Sequence, residues 1–105
     1  MIVTGLTHSI VGERKLIMPI LAIDAPILQV PRARKILRFA WHFTTLLMFA
    51  SAFTIIWPGT PHAVIGLIGT IWLAVGLFDG VYTRGEHVGW PMLTMAGATA
   101  LLGLM

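Results

Sequence analysis

The chain has 105 residues, of which 57% are hydrophobic and only 10% are charged, whereas about 25% of the residues in an average soluble domain carry a charge. Four acidic and seven basic residues are too few to cover the surface of a water-soluble fold of this length. The absence of cysteine excludes disulfides, thiolate metal sites and cysteine nucleophiles. Composition therefore predicts a protein embedded in lipid, without a catalytic or metal site of these kinds.

The first 35 residues contain two apolar segments that are poorly suited to a regular spanning helix. Residues 1–12 reach only about 18 Å as a helix, against a hydrocarbon core of about 30 Å. We expect a short helix that inserts partway, lies in the interface, or is the truncated end of a crossing that begins upstream. Residues 16–31 contain Pro19, Pro26 and Pro31, which interrupt helices, so we expect this segment to rest at the membrane surface.

Three longer apolar runs follow, over residues 36–57, 62–84 and 88–105. Each is long enough to cross a bilayer. A turn with Pro58, Gly59 and Pro61 separates the first two, and Pro91 falls in the first turn of the third, where its missing N–H costs little. The sequence predicts an all-α polytopic transmembrane helix bundle in one membrane domain, with three full crossings and a short N-terminal fourth segment.

The basic residues predict the orientation. If the three crossings alternate, all seven Lys and Arg residues fall on one side of the membrane, which the positive-inside rule makes cytoplasmic. We therefore expect the C-terminus to lie outside. Since these clusters flank hydrophobic runs, they do not indicate binding to nucleic acid.

Small residues recur along the predicted crossings at spacings of three and four. In the second crossing the stripe contains Gly66, Gly69, Gly76 and Gly80, with Leu73 between Gly69 and Gly76. Such stripes let membrane helices approach closely, so they predict helix packing, either within the bundle or with other subunits.

Several ionisable residues are expected near the cytoplasmic boundary. His8, His42 and Asp79 fall at similar depth, and a polar layer is completed by Arg38, Glu13, Glu86 and His87. An ionisable group within a membrane helix suggests function, but pairing with Arg38 or Arg84 to lock the bundle is the favoured interpretation. His42 lies opposite the Ala40 and Thr44 stripe, which indicates a further partner: the first segment, another subunit or a ligand.

Two other functions stay open. His8 and His42 together have the donor atoms for a b-type haem, or one of them for the magnesium of a chlorophyll-type pigment. A small proton-coupled transporter would use Glu13 or Asp79, although Glu13 stands beside Arg14 and Lys15 and is expected to stay ionised and solvated.

The stretches Gly12-Glu13-Arg14 and Leu37-Arg38-Phe39-Ala40-Trp41-His42 resemble those of an uncharacterised group of short bacterial inner-membrane proteins. The likeness covers about the first half of the chain. It implies a compact four-helix, multi-pass protein of the bacterial inner membrane and supplies no activity. That group begins with a complete helix before the Gly-Glu-Arg turn, and the short start here departs from it.

Taken together, these patterns predict a small integral membrane accessory or assembly subunit and not an enzyme. Its expected partners are the lipid bilayer and either other membrane subunits or further copies of itself. The haem- or pigment-binding subunit and the transporter are the alternatives.

Overall fold

The computed structural model describes all 105 residues, of which 80% are helical and none is in a strand, so the predicted all-α class is confirmed. The chain forms five α-helices, a π-helical turn over Glu13–Ile17 and a 3₁₀ turn over Pro26–Gln29. The α-helices are α1 (Ile2–Gly12), α2 (Met18–Leu21), α3 (Pro31–Ile56), α4 (His62–Tyr82) and α5 (Trp90–Leu102).

The chain divides into two compact units. The N-terminal unit comprises residues 2–48, and the C-terminal unit comprises residues 49–105 together with Met1. The border falls within α3, so the first part of that helix belongs to the N-terminal unit and its last turns to the C-terminal unit.

The first element of the N-terminal unit is longer than the sequence suggested. α1, the π turn and α2 form one uninterrupted helical run over residues 2–21, about 30 Å long at 1.5 Å per residue. Gly12 keeps right-handed helical angles, and the Met18 N–H bonds to the Glu13 carbonyl five residues earlier. This wide turn directly precedes Pro19 and gives the proline ring room against the preceding carbonyl groups. The helix therefore continues past residue 12.

The irregular segment is correspondingly shorter than the expected span of 16–31. Only residues 22–30 connect the helical run to α3, and they contain the 3₁₀ turn. Ala25 and Val30, on either side of that turn, are extended. Pro31 then begins α3, where a proline is tolerated because the first N–H groups of a helix lack intrahelical partners. The basic residues at positions 32–38 consequently lie in the first two turns of α3.

In the C-terminal unit, α4 and α5 pack against each other as an antiparallel pair. Gly80 faces Trp90, Gly76 faces Thr94, and Gly69 faces Ala100 and Leu101. These facing positions run in opposite order along the two helices. The turn over residues 83–89 is short enough to join antiparallel neighbours directly.

Two helices are long and apolar enough to cross a membrane. These are α3, with a mean hydropathy of 1.6 in its most apolar window, and α4, with 2.0. α5 has 13 residues and spans about 20 Å. The expected third full crossing is therefore not confirmed, because residues 88–89 and 103–105 lie outside the helix.

Candidate functional site

A group of polar side chains joins the N-terminal helical run to α3. We call it the polar cluster, and it consists of His8, Ser9, Glu13, Arg38, Trp41, His42 and Thr44. All of its members belong to the N-terminal unit. The two helices are antiparallel, because residues 8, 9 and 13 contact residues 44, 42 and 38 in that order.

Glu13 is the charged centre of the polar cluster. Its Oε1 lies 2.8 Å from Arg38 Nη2, and its Oε2 lies 3.2 Å from His42 Nε2. The Glu13 side chain is 22% exposed and that of Arg38 50%, so the pair stands at the edge of the helix contact. Both carboxylate oxygens are thus used by α3, one by a guanidinium group and one by an imidazole.

His42 links Glu13 to Ser9. Its Nδ1 lies 2.7 Å from Ser9 Oγ. Because a carboxylate only accepts, His42 Nε2–H donates to Glu13, and in the neutral imidazole Nδ1 accepts the Ser9 hydroxyl proton. The sequence indicated that His42 has a further partner in the first segment, another subunit or a ligand. In the structure, the first segment of the same chain contacts both of its ring nitrogens.

His8 is held by Trp41 and Thr44. The imidazole stacks on the indole with ring centroids 4.0 Å apart and planes 13° from parallel, and Trp41 Nε1–H donates to the His8 carbonyl at 3.1 Å. The single hydroxyl proton of Thr44 goes to the Trp41 carbonyl at 2.6 Å. Thr44 Oγ1 therefore accepts from His8 Nε2–H at 2.7 Å, which fixes the tautomer of His8.

Gly12 leaves space for the indole ring of Trp41. A Cβ at this position would overlap the ring atoms of Trp41. Sequence reasoning missed Gly12, Trp41, Ser9 and Thr44 as site residues, because it ended the first helix at residue 12 and left its pairing with α3 as one of three options. The available signal was spacing: residues 8, 9, 12 and 13 and residues 38, 41 and 42 each share one helix face.

A second polar pair lies at the end of α4 in the C-terminal unit. Asp79 Oδ2 is 2.5 Å from His87 Nδ1. Thr83 Oγ1 donates to the Asp79 carbonyl at 2.7 Å and accepts the His87 N–H at 3.4 Å. Asp79 thus pairs with His87, and Arg84, which the sequence offered as its partner, makes no ion pair.

The turn after α4 is a Schellman motif. The Gly85 N–H bonds to the Gly80 carbonyl at 2.8 Å, and the Arg84 N–H bonds to the Val81 carbonyl at 3.2 Å. Arg84 has φ +52 and Gly85 has φ +80. A left-handed residue is required at the first of these positions, and it is usually glycine. Here arginine occupies it.

The residues expected in one polar layer fall into two groups in the structure. Glu13, Arg38 and His42 meet in the N-terminal unit, with His8 one helical turn before Glu13. Asp79 and His87 meet in the C-terminal unit. Glu86 forms no ion pair, and its backbone N–H bonds to the Thr83 carbonyl.

The predicted glycine stripe faces α5 of the same chain. A Cβ at Gly76 would overlap the backbone nitrogen of Thr94, one at Gly80 would lie 3.0 Å from Trp90 Cδ2, and one at Gly69 would lie 3.0 Å from Leu101 Cγ. Gly66 has only an ordinary contact, 3.5 Å to Leu104 Cδ1. Gly97 on α5, which the sequence did not indicate, has no space for a side chain, since its Cβ would overlap the backbone of Leu73.

Ser9, His42 and Glu13 stand in the order of a nucleophile, a base and a carboxylate. That chemistry also needs N–H donors for a developing oxyanion. Ser9 lies inside α1, where backbone N–H groups bond to carbonyl groups one turn earlier. The arrangement is therefore suited to holding two helices together and to passing a proton, and it lacks the donors for acyl transfer.

The histidines do not fit a bis-imidazole haem site. Both ring nitrogens of His42 are hydrogen bonded within the chain, and the His8 imidazole lies flat on Trp41 with its Nε2–H directed at Thr44. A haem iron or a pigment magnesium would have to displace these partners. No group of three or more His, Asp and Glu residues is placed to hold a metal ion.

Comparison with protein-family models, curated proteins and solved structures finds no match. The proposals for function consequently depend on the geometry of this chain alone.

Proposed function

We propose that the protein is a small multi-pass integral membrane protein that serves as an accessory or assembly subunit of a larger membrane complex or a homo-oligomer. One observation carries the membrane location: only 17% of the apolar window of α3 and 11% of that of α4 is buried within the chain. The core helix of a soluble protein would be mostly buried. Apolar helices this exposed need lipid or another apolar helix around them.

The proposed topology follows the positive-inside rule in a bacterial inner membrane. The first turns of α3 and the turn after α4 hold five of the seven basic residues, and both are assigned to the cytoplasmic side. The C-terminus is then outside. Single cysteines at positions 34 and 84 should both be labelled from the same side of inverted vesicles. Labelling from opposite sides would reject this topology.

The subunit role is supported by how the chain uses its polar groups. Glu13 bonds both Arg38 and His42, and Asp79 bonds His87, so these groups stabilise the chain's own helices. By contrast, α4 presents large apolar side chains on the side away from the glycine stripe: Leu67 is 61% exposed and Phe78 is 67% exposed. A neighbouring subunit is the proposed occupant of part of that face.

Site-specific photo-crosslinking in native membranes tests the subunit role. A photoreactive residue at position 67 or 78 should give discrete products larger than the chain. The matched control is position 93 on α5, because Leu93 is 8% exposed and should crosslink only within the chain. If positions 67 and 78 also give no larger product, the protein works without a protein neighbour on this face and the subunit proposal is wrong.

Proton-coupled transport is the second candidate, and one observation favours it. Glu13 lies within the helical run and not at its end, and it is connected through His42 to Ser9, a chain of groups that exchange protons. Purified protein in liposomes with an internal pH dye should then carry protons in a Glu13-dependent way. Glu13→Gln should abolish the flux and Glu86→Gln should preserve it. A flux equal in both variants would exclude this carrier.

A further inference from the structure

An open groove of about 440 Å³ lies in the N-terminal unit beside the start of α3. It is lined by three basic residues, Arg34, Lys35 and Arg38, and three apolar ones, Leu21, Pro31 and Phe39, and most of its exposed lining surface is apolar. None of these residues belongs to the glycine-packed pair of helices, and only Arg38 also belongs to the polar cluster. The groove therefore has a chemistry of its own.

The groove carries more positive charge than the chain neutralises. Arg38 pairs with Glu13, but neither Arg34 nor Lys35 is within ion-pair distance of an acidic side chain. Arg34 and Lys35 are neighbours at the start of α3, where like charges repel. An anion between these side chains removes that repulsion.

Arg34 is already positioned by the fold. Its Nη1–H donates to the Leu21 carbonyl at 2.8 Å, which satisfies an end carbonyl of the first helical run. This bond leaves the other N–H groups of the guanidinium free, and guanidinium groups recognise phosphate oxygens through two parallel hydrogen bonds. Lys35 adds an ammonium charge on the adjacent residue.

We propose that this groove binds the phosphate of an anionic phospholipid, with Arg34 and Lys35 as its ligands. This inference rests on the membrane location proposed above. Phe39, 67% exposed, lies about one turn further along α3 from Lys35 and provides an apolar surface for the start of the acyl chain. The mostly apolar lining favours a lipid over free phosphate, and basic pockets beside membrane helices bind anionic headgroups in this way.

Lipid binding by the full chain tests this inference. The protein is reconstituted in phosphatidylcholine nanodiscs that contain either spin-labelled phosphatidylglycerol or spin-labelled phosphatidylcholine, and the immobilised fraction of each lipid is measured. The labelled phosphatidylglycerol should be preferentially immobilised. Lys35→Gln should weaken that preference about tenfold, and Arg34→Gln should weaken it by at least as much, because each substitution removes a charge-assisted hydrogen bond to the phosphate.

Two controls separate the outcomes. Arg84→Gln removes the same charge from a residue that makes no ion pair and lies outside the groove, and it should keep the preference. Arg34→Gln also removes a hydrogen bond to the Leu21 carbonyl and can disturb the fold. Lys35→Gln tests the site without that risk, because the Lys35 side chain makes no hydrogen bond that the substitution would break. If Lys35→Gln and Arg84→Gln behave alike, the preference arises from general surface charge and the site is rejected.

Competition with inorganic phosphate distinguishes the source of the phosphate group. Millimolar phosphate should displace little of the immobilised phosphatidylglycerol. Complete displacement would assign the groove to a soluble anion and overturn the proposal. Alkaline carbonate extraction of native membranes tests the membrane location separately. If the protein stays in the pellet but shows no lipid preference, only the groove proposal is wrong. If carbonate releases the protein, the proposed membrane location is wrong.

Discussion

The two units of the molecule hold their helices together by different means. In the N-terminal unit, seven side chains of the polar cluster bond across the contact between the first helical run and α3. In the C-terminal unit, α4 and α5 approach so closely that glycines face the backbone of the other helix at Gly76 and Gly97. Hydrogen bonds between helices and close packing of small residues are the two main sources of helix association in lipid, and this chain uses one in each unit.

The comparison teaches that sensitivity to substitution differs between the units. A contact made of side chains can rearrange when one of them changes. A contact made of backbone against backbone cannot, because an added carbon has no space until the whole helix moves. The C-terminal unit should therefore respond most to added volume and the N-terminal unit most to lost charge.

The largest effect is expected for Gly97→Ala. The new Cβ overlaps the Leu73 backbone nitrogen and the Gly69 carbonyl oxygen, so α4 and α5 must separate, at about 3 kcal/mol of unfolding free energy. Titration of detergent-solubilised protein with sodium dodecyl sulfate, followed by tryptophan fluorescence, measures this.

The matched control is Gly66→Ala on α4. Its Cβ meets only Leu104 Cδ1 at 3.5 Å, and alanine favours the helix over glycine by up to about 1 kcal/mol. We expect this variant to be as stable as the wild type or more so. Equal losses in both variants would show that the contact does not depend on backbone approach.

A smaller loss, about 1.5 kcal/mol, is expected for Glu13→Gln. The substitution leaves the Arg38 guanidinium without its carboxylate and weakens the bond to His42, and interhelical hydrogen bonds in membranes have values of this order or below. Glu86→Gln is the control, since Glu86 forms no ion pair. The same detergent titration should find the control unchanged, and a loss in both would contradict the role given to Glu13.

Gly12→Ala sharpens the comparison, because this glycine faces a side chain and not a backbone. The added Cβ overlaps the Trp41 indole, which can rotate at the cost of its stacking on His8. We expect a loss of about 1 kcal/mol. In a Trp41→Ala background the cost of Gly12→Ala should disappear, and a double-mutant cycle measures that coupling. Additive losses would show that the two residues are independent.

The smallest expected effect is a gain. Arg84 holds a left-handed conformation with φ +52, which disfavours side chains with a Cβ. Arg84→Gly should stabilise the C-terminal unit by about 0.5 kcal/mol, because glycine relieves the strain but loses more freedom on folding. Arg84→Ala removes the charge and keeps the strain, so it should give no gain. Equal gains would attribute the effect to charge.

Much of the fold can be predicted from the sequence. The apolar runs predicted the two long helices, and the prolines at 58 and 61 predicted the break between them. The sequence also predicts the glycine positions on α4. They were visible because a stripe of small residues needs only the helical period to be recognised.

The polar cluster was less predictable. His8, Glu13, Arg38 and His42 stood out as ionisable groups near an apolar boundary, yet their pairing requires a facing helix that continues past Gly12. A charged Glu-Arg-Lys stretch and a later proline indicate a helix end by local rules. The π turn overrides those rules, and nothing in the spacing of single residues reveals it.

That wide turn also decides which side chains of the first 21 residues point inward. In an ordinary helix, positions five residues apart are about 140° apart around the axis, whereas a turn bonded to the fifth residue places them in line. Gly12, against Trp41, and Ile17, only 1% exposed, are such a pair. The stretch thus contains one residue more than a regular helix would need, and deleting a single residue among positions 13–16 would restore ordinary winding while keeping both ends in phase.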